Sequence, residues 1–211
     1  MMKKFGIKPY KRRVKKPRKI EDEGKTSTVF QNEIENICPI RSNIIWVGDF
    51  TYIPFKGRFL YLATVMDLFT REIIGWNVSF YHDKELVIGA FLDAVKNTGQ
   101  KPVYFHCDQG SEYDSEVFIN LLKLHQVIIS MSRKAHPWEN GFQESYYSQF
   151  KVDLGRTDRF NDDGVLIENI YQTIHYYNHE RIHTSLKTSP VKFRLVHTEI
   201  PREYLYNKRG T

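Results

Sequence analysis

The chain is 211 residues long and 41% apolar, with a net charge of +6 and two cysteines, Cys38 and Cys107. That length supports one sizeable domain with a real core plus appendages. Two cysteines exclude a disulfide framework and a zinc set and fit a reducing compartment; with no apolar run of membrane-spanning length and no signal-peptide pattern, a soluble cytoplasmic protein is expected.

The charge is unevenly spread. Residues 1–25 carry eleven Lys and Arg against three acids, a balance of +8, whereas the remainder has 20 basic and 22 acidic residues, a balance of −2. Such a basic block repels itself and reads as disordered. It is either a solvated terminus or an arm whose Lys11, Arg12 and Arg13 neutralise nucleic-acid phosphates and release counterions. Residues 24–28 read as a linker, and Thr28 with Gln31 follows a capping-box pattern that predicts a short helix through Glu35. The expected plan is a basic tail and linker over 1–27, a core over 28–197 and a C-terminal tail over 198–211.

The first strong element spans residues 44–53. Ile45, Val47, Asp49, Thr51 and Ile53 fall on one face, and Trp46, Gly48, Phe50 and Tyr52 on the other. Two largely apolar faces predict a central strand, in which Asp49 is the anomaly. A turn over 54–58 leads to strands over 59–67 and 72–79, an antiparallel meander. Asp67 reads as a structural residue that caps the turn after the second strand.

A helix then starts near Asp83, carries Val87, Ala90, Phe91, Ala94 and Val95, and ends before Gly99. A strand over 103–107 delivers Asp108 into a tight glycine turn. A helix over 115–125 and a strand over 127–130 follow, and strand–helix–strand at these lengths predicts parallel right-handed crossovers. Residues 131–136 show no periodicity and read as a loop. A helix from near Pro137 to Lys151 is predicted to pack through Phe142, Tyr146 and Phe150. It presents Glu144 and Lys151, two turns apart with a drift of about 20°, on another face. The last predicted helix, over 163–178, buries Ile167, Ile170, Tyr171, Ile174 and Tyr177.

A three-strand meander followed by two helix–strand units is the layout of the ribonuclease H-like α/β fold, a mixed five-stranded sheet flanked by helices. In that fold the first and fourth strands are neighbours. Asp49 and Asp108, 59 positions apart, would then stand side by side, with Glu144 closing the set from its helix. Each has a plainer reading alone: an edge residue for Asp49, an Asx turn for Asp108, a solvated helix face for Glu144. His175, His179 and His183 recur every four residues, yet no acidic or cysteine partner stands beside them at zinc spacing.

Five ordered motifs carry a resemblance. They are Trp46-Val47-Gly48-Asp49-Phe50-Thr51-Tyr52-Ile53, Met66-Asp67-Leu68-Phe69-Thr70-Arg71 with Ile74-Gly75-Trp76, His106-Cys107-Asp108-Gln109-Gly110-Ser111, Trp138-Glu139-Asn140-Gly141-Phe142-Gln143-Glu144-Ser145, and Tyr177-Asn178-His179-Glu180-Arg181-Ile182-His183. Over residues 46–190 the chain resembles the catalytic core of bacterial insertion-sequence DDE transposases, the two-reading-frame group similar to retroviral integrases. Thirty-five residues separate Asp108 from Glu144, the spacing that names the class, and Lys151 matches its basic residue seven places on. Gly48 and Phe50 depart from the family's usual threonine and isoleucine, and Cys107 from its usual serine.

The resemblance implies metal-dependent DNA cleavage and strand transfer. Asp49, Asp108 and Glu144 are the implied catalytic residues and ligands of Mg²⁺ or Mn²⁺, as two ions. Such in-line displacements at phosphorus use paired hard cations held by a few carboxylates. Lys151 is the implied contact to a DNA phosphate. Arg133, Lys134, His136, Arg181 and His183 are further candidates for DNA contact. The implied partners are DNA, further copies of the chain assembled on it, and a helix-turn-helix protein from an upstream frame, since relatives carry such a region ahead of the core. The alternative is a truncated or non-catalytic DNA-binding remnant that regulates transposition, and a structure-specific nuclease of the same fold ranks third.

Overall fold

A computed structural model of the chain describes residues 30–132 and 140–197. β1 (Ile45–Phe55), β2 (Arg58–Asp67) and β3 (Ile73–Ser79) form the meander; α1 (Lys84–Thr98) leads to β4 (Tyr104–Cys107), and α2 (Glu116–Leu124) leads to β5 (Ile128–Met131). α3 (Gly141–Leu154), α4 (Asp163–His179) and α5 (Pro190–His197) follow, with a 3-10 turn at Thr157–Arg159. The sheet order is β3-β2-β1-β4-β5; the meander pairs are antiparallel, and β1–β4 and β4–β5 are parallel. This is the mixed five-stranded sheet expected, with β1 beside β4. Among the described residues no helix is long and apolar enough to cross a membrane.

Local chemistry sets the boundaries. The Asp83 side chain accepts the Leu86 N–H at the start of α1, and Gly99 ends that helix in the left-handed region at φ 62°. Ser115 caps α2 and Asp162 caps α4 in the same way. Such caps satisfy donors that a helix start leaves open. Asp67 does what its place predicts: its carboxylate accepts N–H groups of Asn43 at 2.6 Å, Phe69 at 3.0 Å and Thr70 at 2.9 Å, plus the Thr70 hydroxyl at 3.2 Å. Burial pushes its pKa upward against the pull of those donors.

The sheet separates two cores. On one side Trp46, Phe91, Phe105, Phe118 and Leu122 pack between the strands and α1 and α2. Phe105 meets Phe91 and Phe118 edge-to-face, with centroids 5.6 and 5.5 Å apart. On the other side Leu62, Met66, Tyr146, Phe150, Ile170 and Ile174 pack beneath α3 and α4. Gly48 belongs to the first core: a Cβ there would come within 2.5 Å of the Phe105 ring. The family's threonine at this position would displace that ring. Gly75 likewise lets β3 approach the backbone of α1 at Ala90 and Ala94.

Several expectations need correction. No helix runs through Glu35: residues 33–36 form a turn, where Asn32 Oδ1 takes the Ile34 N–H and Ile34 C=O takes the Ile37 N–H. Thr28, the other half of the capping pattern, lies outside the described residues. Met131 belongs to β5 rather than to the loop after it. Phe142 is not on the packing face of α3; it is 46% exposed. Steps of four residues drift by about 40° on a 3.6-residue helix, so a stripe extended back from Phe150 and Tyr146 has rotated off the sheet by residue 142. Gln143, Tyr146, Tyr147, Phe150 and Leu154 form the buried face instead. On α4, Tyr171 is 49% exposed and Leu166 is buried in its place. α5 was not predicted at all, having only Pro190 and Val191 buried.

Candidate active site

β1 pairs with β2 over nearly its whole length but with β4 only from Ile45 to Val47. The two parallel strands therefore part just before Asp49, and Asp108 follows the last residue of β4. The site lies where the parallel pairing of β1 and β4 ends, at the carboxyl end of β4. Asp49 is half-buried, and its Oδ1 accepts the Phe50 N–H at 2.8 Å. Its carboxyl is pushed up to about 8, by burial first and then by the charge of Asp108, against the Phe50 hydrogen bond; Glu144 adds a further upward push and Lys151 a downward one. Asp108, Glu144 and Lys151 thus all act on Asp49, across a sequence span of about a hundred residues.

Asp108 fulfils both of its readings. Its Oδ1 accepts the Gly110 N–H at 2.9 Å, which is the Asx turn, while its charge acts on Asp49. Glu144 stands exposed in the first turn of α3, where the helix dipole favours a negative charge. Lys151 lies over the Tyr52 ring, 4.7 Å from its centroid, a cation–π contact beside the open edge of β1. The three carboxyl groups supply only hard oxygen donors, the chemistry that suits Mg²⁺ or Mn²⁺. Among the described residues, no three His, Cys, Asp or Glu side chains are grouped tightly enough to ligate one ion as they stand. The chemistry of the donor set, three carboxylates, fits a divalent cation.

The remaining predicted residues separate. Arg181 Nη1 pairs with Asp153 Oδ2 at 3.0 Å, both side chains largely shielded, which ties the end of α4 to α3. His183 exchanges backbone contact with Thr188, and its imidazole pKa is lowered by burial, then by Arg71 and Arg181. Asn178, in the same motif, holds Ile73 at both N–H (2.9 Å) and C=O (2.8 Å), and the Tyr177 hydroxyl donates to Arg71 C=O. The described part of this motif is used to anchor α4. Lys11, Arg12, Arg13, Arg133, Lys134 and His136 lie outside the described residues.

Sequence reasoning passed over Glu112. It is 7% exposed, its Oε1 lies 2.8 Å from His82 Nδ1, and its Oε2 accepts the Ser111 hydroxyl. A Cβ placed on Gly110 would meet Asp108 Oδ1 at 2.9 Å and Glu112 Oε2 at 3.1 Å, so the His82–Glu112 pair braces the turn that carries Asp108. Glu112 directly follows the quoted glycine-turn motif, but nothing in the sequence brings His82 to it.

The Integrase core domain family matches residues 39–137, and a second family of that description matches residues 125–190. The transposase for insertion sequence element IS904 of Lactococcus lactis is 38% identical over 146 residues, 68% of this chain and 58% of that protein. An uncharacterised transposase-like protein of Haemophilus influenzae is 35% identical over 151 residues, 71% of this chain and 69% of that protein. The chain therefore spans little more than half the length of the Lactococcus relative. Among solved structures, the HTLV-2 integrase catalytic core domain in complex with magnesium shares the fold at a TM-score of 0.62 and 20% identity, covering 73% of this chain and 97% of that one. By its matched families, its relatives and its strand order, the chain belongs to the integrase core family of insertion-sequence transposases.

Proposed function

We propose that this chain is the metal-dependent catalytic core of a transposase that cuts DNA strands and joins the freed 3′ ends to target DNA. What supports the reading is the placement of Asp49 and Asp108 where β1 and β4 part, with Asp108 and Glu144 both raising the Asp49 carboxyl, which is pushed up to about 8. Carboxyl groups so arranged repel one another until a cation offsets them. Asp49, Asp108 and Glu144 would hold Mg²⁺ or Mn²⁺, as a pair of ions in this class of chemistry. Bound there, the metal supplies Lewis-acid polarisation and offsets charge growing on the phosphate oxygens.

The protein's own residues orient the substrate. Lys151, steadied over Tyr52, places a positive charge beside the open edge of β1 for a DNA phosphate. No side-chain nucleophile is required: water attacks first, and the freed 3′-hydroxyl attacks second. Lys11, Arg12, Arg13, Arg133, Lys134 and His136 add sequence-blind phosphate contacts. The Asp153 pairing favours a supporting role for Arg181. Two element ends are joined in one event, which calls for several copies of the chain on DNA and for a recognition module, in cis or from an upstream-frame helix-turn-helix protein. Such work belongs at the bacterial nucleoid, in the cytoplasm.

The test is to incubate the purified chain with Mg²⁺ or Mn²⁺ and labelled DNA and to look for nicked and joined products. Products that vanish in Asp49→Asn, Asp108→Asn and Glu144→Gln support the reading. The second reading is a non-catalytic DNA-binding regulator. DNA binding without products at any metal concentration would select it.

A further inference from the structure

The α3 side of the sheet holds a polar device that the reaction chemistry does not call for. Gln143 is fully buried. Its Nε2 donates to Val47 C=O at 2.7 Å and, at 3.4 Å, to Thr64 C=O, while its Oε1 faces the Thr64 hydroxyl at 3.2 Å. One turn later the Tyr147 hydroxyl donates to Asp49 C=O at 2.6 Å and lies 2.8 Å from the same Thr64 hydroxyl. Thr64 is the residue directly across the ladder from Asp49, and it is fully buried.

The spacing has a geometric basis. Residues 143 and 147 are four apart on a helix, a rise of about 6.0 Å. Val47 and Asp49 are two apart on a strand, a rise of about 6.7 Å. The helix therefore meets two successive outward-facing positions of β1 with matched spacing, one carbonyl on each side of Gly48. Apolar contacts on the same helix face, through Tyr146 and Phe150, are non-directional and tolerate sliding. Hydrogen bonds to particular carbonyls do not, because a one-residue slip would move the helix by about 1.5 Å and turn it by about 100°. Either shift would carry Glu144 away from Asp49.

We propose that Gln143 and Tyr147, with Thr64 between them, are positioning residues that set the register of α3 on β1 and so hold Glu144 against Asp49. The role rests on the reading of Asp49 and Glu144 as metal-binding partners. A buried polar network of this kind is costly if only partly satisfied, and an apolar residue at 143 could pack there without it. The network on either side of Glu144 along α3 contributes specificity of placement.

The experiment compares the full chain with Gln143→Met and Tyr147→Phe, both close in volume to the residues they replace. Each is measured for metal-free melting, for the Mn²⁺ concentration that half-saturates the melting shift, and for kcat and KM in strand transfer. The expected result is a fold that melts as a single transition with a Mn²⁺ midpoint raised tenfold or more, a fall in kcat and an unchanged KM for DNA. Raising Mn²⁺ should restore part of the lost kcat, which a merely weakened fold would not show. If Gln143→Met fails to fold, Tyr147→Phe decides alone. Variants with the wild-type Mn²⁺ midpoint overturn the positioning role while leaving the metal reading intact. A wild-type chain with no Mn²⁺ response overturns the metal reading itself, and the positioning role with it.

Discussion

The two faces of the sheet solve different problems. The face beneath α1 and α2 is an aromatic core, in which Trp46, Phe91, Phe105 and Phe118 interlock edge-to-face. The face beneath α3 and α4 mixes apolar packing with buried polar contacts at Gln143, Thr64, Tyr147 and Asn178. Dispersion and hydrophobic burial are strong but indifferent to direction, whereas hydrogen bonds to single carbonyls are weak in net energy and exacting in position. Both faces supply apolar burial, and the second adds the polar contacts that bear on the placement of Glu144. The contrast teaches that a helix can be given a definite register on a sheet by a few polar contacts where apolar packing alone would tolerate sliding.

That division can be broken from either side. The largest expected effect is on activity: Asp49→Asn should lower strand transfer by about a thousandfold or more, equivalent to roughly 4 kcal/mol of lost transition-state stabilisation. Its circular dichroism should stay that of the parent. Retained turnover in that variant would remove Asp49 from the metal set. On the aromatic face, Phe91→Ala opens a cavity at a fully buried site and should cost about 3–5 kcal/mol in urea unfolding. A loss under 1 kcal/mol would mean that this face adds little to stability.

Asp67→Asn should have a smaller effect, about 1–3 kcal/mol. One carboxylate oxygen becomes an amino group, so that either the Asn43 N–H or the Phe69 and Thr70 donors face another donor. Calorimetric melting of the variant measures it, and an unchanged transition would show that the turn relies on its backbone alone. The metal-free protein should also show a pH effect. Asp49 titrates about 8 in the folded chain against an ordinary 3.8, so between those values the native state holds a proton that the unfolded state has released. Stability therefore declines as pH rises through this window and levels off above pH 8. Urea melts from pH 4 to pH 9 in a chelator should show that decline, and Asp49→Asn should flatten it. A wild-type curve with no such decline would place Asp49 in a more open setting. The least effect belongs to Tyr171→Ala on the exposed side of α4, within about 0.5 kcal/mol of the parent.

Much of this was legible in the sequence. The alternating faces of β1, the apolar period of α1 and the capping residues Asp83, Ser115 and Asp162 are local signals, and local physics determined those elements. The order of strands and helices carried the neighbour relation of β1 and β4, hence the approach of Asp108 to Asp49. Helix spacing put Glu144 and Lys151 on one face, and the resemblance implied their roles. Tertiary structure decided the rest. Phe142 looked like core by its spacing from Tyr146 and Phe150, but the azimuth of α3 is set by Gln143 and Tyr147, whose partners are carbonyls nearly a hundred residues away. His82 and Glu112 meet only because the β3–α1 connection and the turn after β4 end at the same rim of the sheet. Arg181, in sequence a candidate for DNA contact, is engaged by Asp153 once α4 lies beside α3. Periodicity and caps are properties of a segment and survive in its sequence. Which polar atoms meet across the sheet depends on how segments dock, and that is determined only when the core closes.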